Sequence, residues 1–105
     1  KNHIFLKALV GNKIIGTVRA YTENDNCYVG RLAVHPDMQN KGIGSALLIE
    51  IEKYYKPKRF ELFTGSRSDN NIRIYKKQGY NIFKTEKFGC ENIEVCFMEK
   101  IVQHL

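Results

Sequence analysis

Between residues 27 and 52 the hydrophobic period of this chain changes, and the change falls on two glycines. Cys27 to Val34 (CYVGRLAV) has the content of a strand and is nearly apolar at Leu32, Ala33 and Val34, as a strand covered on both faces should be. From about Ile43 the apolar residues fall at steps of three and four: Ile43, Leu47, Ile51, then Tyr54 or Tyr55. Glu50, Glu52 and Lys53 stand largely outside that face, which is the pattern of an amphipathic helix. Between the two lies HPDMQNKGIG, residues 35 to 44. A buried strand that passes through such a loop into a helix predicts a β-α-β crossover, and hence a sheet with helices packed on it. Each glycine gives up about 0.5–1 kcal/mol of backbone order relative to alanine, so two so close together imply that something approaches the loop.

The flanking sequence fills in the sheet. Residues 3–10 (HIFLKALV) and 14–21 (IIGTVRAY) are strand-like, joined by a tight turn at Gly11-Asn12-Lys13, and residues 23–26 (ENDN) make a second turn. Pro57 closes the first helix, and Arg59 to Phe63 is a short strand. Ser68 or Asp69 is placed to cap a second helix over Asn70 to Gln78, with Gly79 at its C′ position. Two last strands are predicted at Tyr80–Lys87 and Ile93–Val102. The latter carries Val95, Phe97 and Ile101 on one face and Cys96, Met98 and Val102 on the other. The order β-β-β-α-β-α-β-β gives an α/β (α+β) class, with a mixed, mostly antiparallel sheet. At 105 residues and 43% hydrophobic content, the expectation is one domain over 1–105 with its own core.

Composition narrows the function classes. No apolar run approaches the ~20 residues needed to cross a bilayer, so no membrane partner is expected. Lys1 in place of an initiating Met predicts a processed, truncated or excised chain. Cys27, Cys90 and Cys96 are odd in number and lack metal-ligand spacing. They are expected to be buried and reduced, with no metal and a cytoplasmic location. The net charge is +6. Its basic residues are scattered, as in Lys56, Lys58 and Arg59 or Lys76 and Lys77, with no aromatic interleaving. This favours a small anionic ligand over nucleic acid.

The glycines stand at the carboxyl end of a strand and at the start of a helix. Ligands bind there in open sheets, and the free N–H groups and macrodipole of the helix favour an anion, phosphate above all. Gly42 and Gly44 would let the backbone approach phosphate oxygens, with Lys41 adding a mobile charge. A Walker loop is excluded because Gly44 is followed by Ser45 with no Lys, and a dinucleotide fingerprint fails because Gly42-Ile43-Gly44-Ser45-Ala46-Leu47 ends in Leu.

The stretch Val34-x-Pro36, a polar loop, then Gln39-x-x-Gly42-x-Gly44 resembles motif A of the GNAT superfamily of N-acetyltransferases. IYKKQGY at residues 74–80 resembles that family's L-Y-x-K-x-G-F stretch, and the likeness extends over residues 4 to 102. It implies a GNAT-like fold that lacks the family's usual N-terminal strand and helices. It also implies acetyl-CoA as co-substrate, held where Cys27–Val34 and Arg59–Phe63 splay apart. Leu32, Ala33 and Val34 would pair with the pantetheine arm. Gln39, Asn40, Lys41, Gly42, Ile43, Gly44 and Ser45 would hold the pyrophosphate, and Asn71 and Tyr75 would face the thioester. Ser68 replaces the asparagine that relatives often carry before the second helix.

Transfer from a thioester to an amine needs a neutral amine, a polarised carbonyl and a proton for the thiolate, with no covalent enzyme intermediate. Tyr75 is the candidate acid, its other role being a packed aromatic three residues after Ile72. Glu61 is the nearest carboxylate for a general base, its other role being a salt-bridge partner, and Tyr28 and Arg31 are assigned to the acceptor cleft. The function expected is an N-acetyltransferase acting on a primary amine of a small molecule or protein. The alternative is a CoA-binding or regulatory module without turnover. A two-fold homodimer is expected to cover the open cleft.

Overall fold

The computed structural model describes residues 3–102, apart from the side chain of Arg31. The chain runs β1 (His3–Val10), β2 (Lys13–Glu23), β3 (Asn26–Val34), a single 3₁₀ turn (Pro36–Met38), α1 (Ile43–Glu52), β4 (Arg59–Gly65), α2 (Asp69–Lys77), β5 (Asn81–Phe88) and β6 (Ile93–Ile101). The mixed α+β arrangement read from the sequence is present, with element ends shifted by one or two residues.

Turn chemistry sets the first meander. Gly11 takes φ +60° at the first position of a two-residue loop, and Asn24 and Asp25 both take positive φ, 53° and 66°, between β2 and β3. Such turns twist with the strands they join. The six strands lie in the order β1-β2-β3-β4-β6-β5. Only β3 and β4 are parallel, and α1 makes the crossover between them.

The core lies on one face of this sheet. Leu47, Leu48 and Ile51 of α1 meet Val18 and Ala20 of β2, Cys27 and Val29 of β3, Phe60 and Leu62 of β4, and Met98 of β6. Tyr75 and Tyr80 complete the cluster. A fully buried aliphatic side chain contributes about 1.5–3 kcal/mol, so this set fixes where the crossover helix sits.

Three local expectations are corrected. α1 stops at Glu52, and Tyr54 is exposed beyond it, while the Tyr55 hydroxyl donates to the Ala20 carbonyl at 2.9 Å. Glu52 does not face solvent: it accepts from the Tyr80 hydroxyl at 2.7 Å and from Lys100 Nζ at 2.5 Å. Tyr80 is fully buried, and this partner satisfies its hydroxyl. The end of β3 is not covered on both faces. Ala33 is exposed and Leu32 and Val34 are half-buried, because both helices lie on one side and β3 no longer pairs with β4 beyond Tyr28.

Candidate functional site

The site begins as a break in strand pairing. β3 and β4 pair only at Asn26↔Arg59, Cys27↔Phe60 and Tyr28↔Glu61, and then part. On the other side of β3 the register with β2 slips, since Thr17 faces Ala33 while Arg19 faces Gly30. The extra residue lies in β3 at 31–32, which makes this a bulge. Bulges bend a strand and increase its twist. β4 meanwhile stays straight, held by seven successive pairs to β6 from Arg59↔Ile101 to Gly65↔Val95. One strand bends and its neighbour does not, so a wedge opens between Val29–Val34 and Leu62–Gly65.

On the helix side the wedge leads into a cleft of ≈ 260 Å³. Its walls include Val34, Gln39, Asn40, Gly42, Ile43, Gly44 and Ser45 from the loop, and Asn70, Asn71, Arg73, Ile74 and Lys77 from α2. Gly42 is the N-cap of α1 at φ 81°, a left-handed conformation that disfavours any Cβ. The first α1 bond runs from the Ala46 N–H to the Gly42 carbonyl at 3.0 Å, and no side chain caps the helix. The N–H groups of Ile43, Gly44 and Ser45 therefore have no acceptor among the described residues, and they sit at the positive end of the helix.

Gly44 serves a second purpose that the sequence did not reveal. A Cβ there would lie 3.0 Å from Ile74 Cδ1 and 3.6 Å from Val34 Cγ2, so its absence lets α1 approach α2 and the tip of β3. Side chains then brace the loop. Gln39 Nε2 donates to the Val34 carbonyl at 3.3 Å, Asn70 Nδ2 donates to Gln39 Oε1 at 3.4 Å, and Arg73 donates to Asn40 Oδ1 at 3.4 Å. Arg73 also donates to Asn70 Oδ1.

Most of the predicted residues meet in this cleft, but not all. Leu32 packs at the edge of the core, Ala33 pairs with Thr17, and Lys41 is exposed on the loop without lining the cleft. Asn71 lines the cleft, whereas Tyr75, one turn further on, is 4% exposed and sits in the core against Tyr80. Burial pushes the Tyr75 phenol up to about 12. Its hydroxyl makes no hydrogen bond to the described residues. No side-chain oxygen there is both sealed and unpartnered, so this hydroxyl keeps contact with solvent. Ser68 stands at the N-cap of α2 but makes no side-chain capping bond, contrary to expectation. Arg73 and Lys77 also line the cleft and were not singled out from the sequence, although Lys77 stands in the quoted IYKKQGY stretch.

The opposite face of the sheet carries no helix among the described residues. There the wedge opens into a second cleft of ≈ 640 Å³ walled by Tyr21, Tyr28, Phe63 and Phe97, with Glu61 between them. Tyr21 and Tyr28 stack at 5.3 Å and Phe63 tilts against Phe97 at 5.7 Å. Glu61 accepts from Arg59 Nη1 at 2.7 Å, and Arg59 Nε donates to Glu99 at 2.6 Å. Arg31, the other residue assigned to this cleft, has its side chain outside the described residues. Cys27 is buried, and burial with the nearby Glu52 carboxylate pushes its thiol up to about 12. That thiol is no nucleophile at neutral pH. Cys96 is buried beside Ser66, but Cys90 is exposed, against expectation. Among the described residues no group of three His, Cys, Asp or Glu could hold a metal ion, and no helix is long and apolar enough to cross a membrane.

The sequence profile of the acetyltransferase (GNAT) family matches residues 1–80. The uncharacterized protein YdhI of Bacillus subtilis (strain 168) is 32% identical over 71 residues, which cover 65% of this chain and 43% of that protein. The matched segment is thus under half of that relative's length. The PaiA N-acetyltransferase of Thermoplasma acidophilum, solved in complex with coenzyme A, superposes with a TM-score of 0.79 at 24% identity, over 95% of this chain and 61% of that one. A GNAT family acetyltransferase from Elizabethkingia anophelis, solved with acetyl-CoA bound, gives 0.76 at 22% identity, over 93% and 75%. At such identity the two structures speak for the shared fold.

Proposed function

Because the chain belongs to the acetyltransferase (GNAT) family, we propose that it moves an acetyl group from acetyl-CoA to a primary amine by direct attack. The observation that carries this reading is the wedge itself, open to an uncapped helix N-terminus on one face and to an aromatic cleft with a carboxylate on the other. Donor and acceptor then enter from opposite sides and meet where β3 and β4 part. The first cleft fits the donor because, among the described residues, no carboxylate lines it, while three N–H groups without an acceptor and two cations do. The edge of β3 at Leu32, Ala33 and Val34 faces away from β2 with no β4 partner, and a pantetheine amide adds there like a strand. Gln39, Asn40, Gly42, Ile43, Gly44 and Ser45 surround the diphosphate, with Lys41 contributing long-range charge, and Asn71 borders the arm.

The transfer forms one N–C bond, breaks one C–S bond, and requires a proton to leave the amine and another to reach the thiolate. Tyr75 donates a hydrogen bond to that sulfur. Burial keeps the phenol protonated at neutral pH, and it gives that proton to the departing thiolate and is reprotonated from solvent. Glu61, oriented by Arg59, is the carboxylate on the acceptor side and accepts the amine proton directly or through water. The primary-amine acceptor accords with the N-acetyltransferase activity named for the Thermoplasma relative. The reading further includes a cytoplasmic location and a homodimer formed through the helix-free face.

Calorimetry with acetyl-CoA, followed by a free-thiol release assay on a panel of primary amines, tests the proposal. Binding with amine-dependent thiol release is the expected result. Binding without release would leave a CoA-binding module, and no binding would remove the reading altogether.

A further inference from the structure

One glycine on the helix-free face of the sheet is required neither by backbone angles nor by packing. Gly11, Gly42, Gly79 and Gly89 take positive φ. At Gly16 and Gly44 an added Cβ would press on Leu47 and Ile74 at 2.9 and 3.0 Å, and at Gly65 it would touch Ser68 Oγ at 3.6 Å. Gly30 has a φ outside the left-handed region and nothing within 4 Å of its Cβ position. It still pairs with Arg19, ahead of the bulge at residues 31–32. A glycine inside a strand weakens it, and where no bulge angle needs it, close approach of another group is its usual reason. Gly30 lines the ≈ 640 Å³ cleft. Tyr28 and Gly30 share the helix-free face of β3, as Glu61 and Phe63 do on β4, because the intervening Val29 and Leu62 are buried in the core. The last β3–β4 pair is Tyr28↔Glu61. The next residues on this face, Gly30 and Phe63, therefore stand across the opening with no ladder between them. An amine that gives its proton to Glu61 has its carbon body in the space over Gly30, beside Tyr28 and Phe63.

Resting on the acetyl-transfer reading, we infer that Gly30 is the specificity-determining position of the acceptor cleft, and that the acceptor is a primary monoamine carrying an aromatic ring. The missing side chain leaves room for that ring between the Tyr21–Tyr28 stack and the Phe63–Phe97 pair. A ring placed there meets aromatic faces or edges on both sides, the offset and edge contacts that aromatic groups prefer. Charge argues against a polyamine. Arg19 lines the cleft, Arg59 lies over Phe83 at 4.9 Å and Lys84 over Phe97 at 4.6 Å. Against these cations stand Glu61 and Glu99, both bound to Arg59, and Glu86, bound to Lys84. Among the described residues no surplus negative charge remains at the cleft for a second ammonium group. The transfer balances as before: the amine nitrogen bonds to the acetyl carbon as the C–S bond breaks, Glu61 takes the amine proton, and the thiolate receives one from Tyr75.

The experiment measures kcat/KM by thiol release with 2-phenylethylamine, propylamine and spermidine, from dilute to self-associating protein concentrations. It uses the wild-type chain, Gly30→Ala and Gly30→Val, each with a thermal melt and acetyl-CoA calorimetry. Wild type is expected to prefer 2-phenylethylamine over both other amines by roughly tenfold or more, as burial of one ring gives. Gly30→Val should abolish the preference over propylamine and Gly30→Ala should reduce it partway. Neither substitution meets a neighbour and both favour a strand over glycine, so Tm should hold or rise. Gly30 does not line the donor cleft, so acetyl-CoA affinity should stay within a few-fold of wild type. A role in folding alone would instead move Tm and leave the ratio of the two amines unchanged. Equal or greater wild-type activity on propylamine or spermidine at every concentration would overturn the aromatic class. A full preference retained in Gly30→Val, or in Gly30→Ala with Gly30→Val unfolded, would overturn the role of Gly30. Acetyl-CoA binding with no amine-dependent release, or no binding, would overturn the reading on which the inference rests.

Discussion

Replacing Gly42 by alanine separates the phosphate cradle from the fold. Gly42 holds φ 81°, and a non-glycine residue in a left-handed conformation costs about 1–2 kcal/mol. Nothing lies within 4 Å of the position a Cβ would take, so no clash adds to that cost. For a domain of this size, a loss of 1 kcal/mol lowers Tm by roughly 4–8 °C, and the variant should remain folded at 25 °C. The new methyl stands at the rim of the donor cleft, beside the three unpaired N–H groups. Displacing one charge-assisted hydrogen bond there is worth about 1.5–3 kcal/mol, or roughly 10- to 100-fold in Kd. Gly44→Ala provides the contrast. Its methyl would press on Ile74 Cδ1 at 3.0 Å inside the α1–α2 contact, so the effect should fall on stability, about 1–3 kcal/mol, as for an overpacked core. Urea denaturation and acetyl-CoA calorimetry on the same preparations give both quantities. A folded Gly42→Ala chain that binds acetyl-CoA with wild-type affinity would refute the cradle.

Tyr75→Phe keeps the ring in the core and removes only a hydroxyl with no hydrogen-bond partner among the described residues. Stability and CoA affinity should therefore hold while kcat for amine acetylation falls by about 10²-fold, the usual share of a positioned donor. Full kcat in the phenylalanine variant would make Tyr75 a packing residue. The Cys27 thiol is raised from 9.0 to about 12, so the unfolded chain loses that proton first and folding stability should decline as pH rises from 9 towards 12. Denaturation midpoints across that range should show a shallower decline in Cys27→Ala; an unchanged slope would show that Cys27 does not contribute. Phe63 is 64% exposed on the helix-free face, so the chain should self-associate in light scattering and Phe63→Glu should shift it towards monomer. A monomer at high concentration for both proteins would contradict this.

The sequence by itself determined the elements, their order and the glycine loop that opens α1. Hydrophobic period separates strand from helix wherever an element is long and buried on one side, as in β6, where Cys96 and Met98 are buried and Ile101 is exposed. Positive-φ turns announce themselves through Gly11 and Asn24-Asp25, since few residues adopt those angles. The glycines of the loop were legible for the same reason. A backbone that must come near a ligand or another helix leaves a gap in the sequence where a side chain would stand.

Only the tertiary structure decided which side chains share a cleft. The wedge depends on a bulge at residues 31–32, and such a bulge is a mismatch between two strands that neither encodes alone. Glu52 looked solvent-facing on the helical wheel, yet it meets Tyr80 and Lys100, which follow it by 28 and 48 residues. Arg73 and Lys77 became distinct from the other cations only when α2 was laid across the loop. Tyr75 lies beneath the cleft wall rather than on it, because burial in the core claims its ring. Local pattern fixes what an element is. Long-range packing fixes what it faces, and charge acquires meaning only when its neighbours are known.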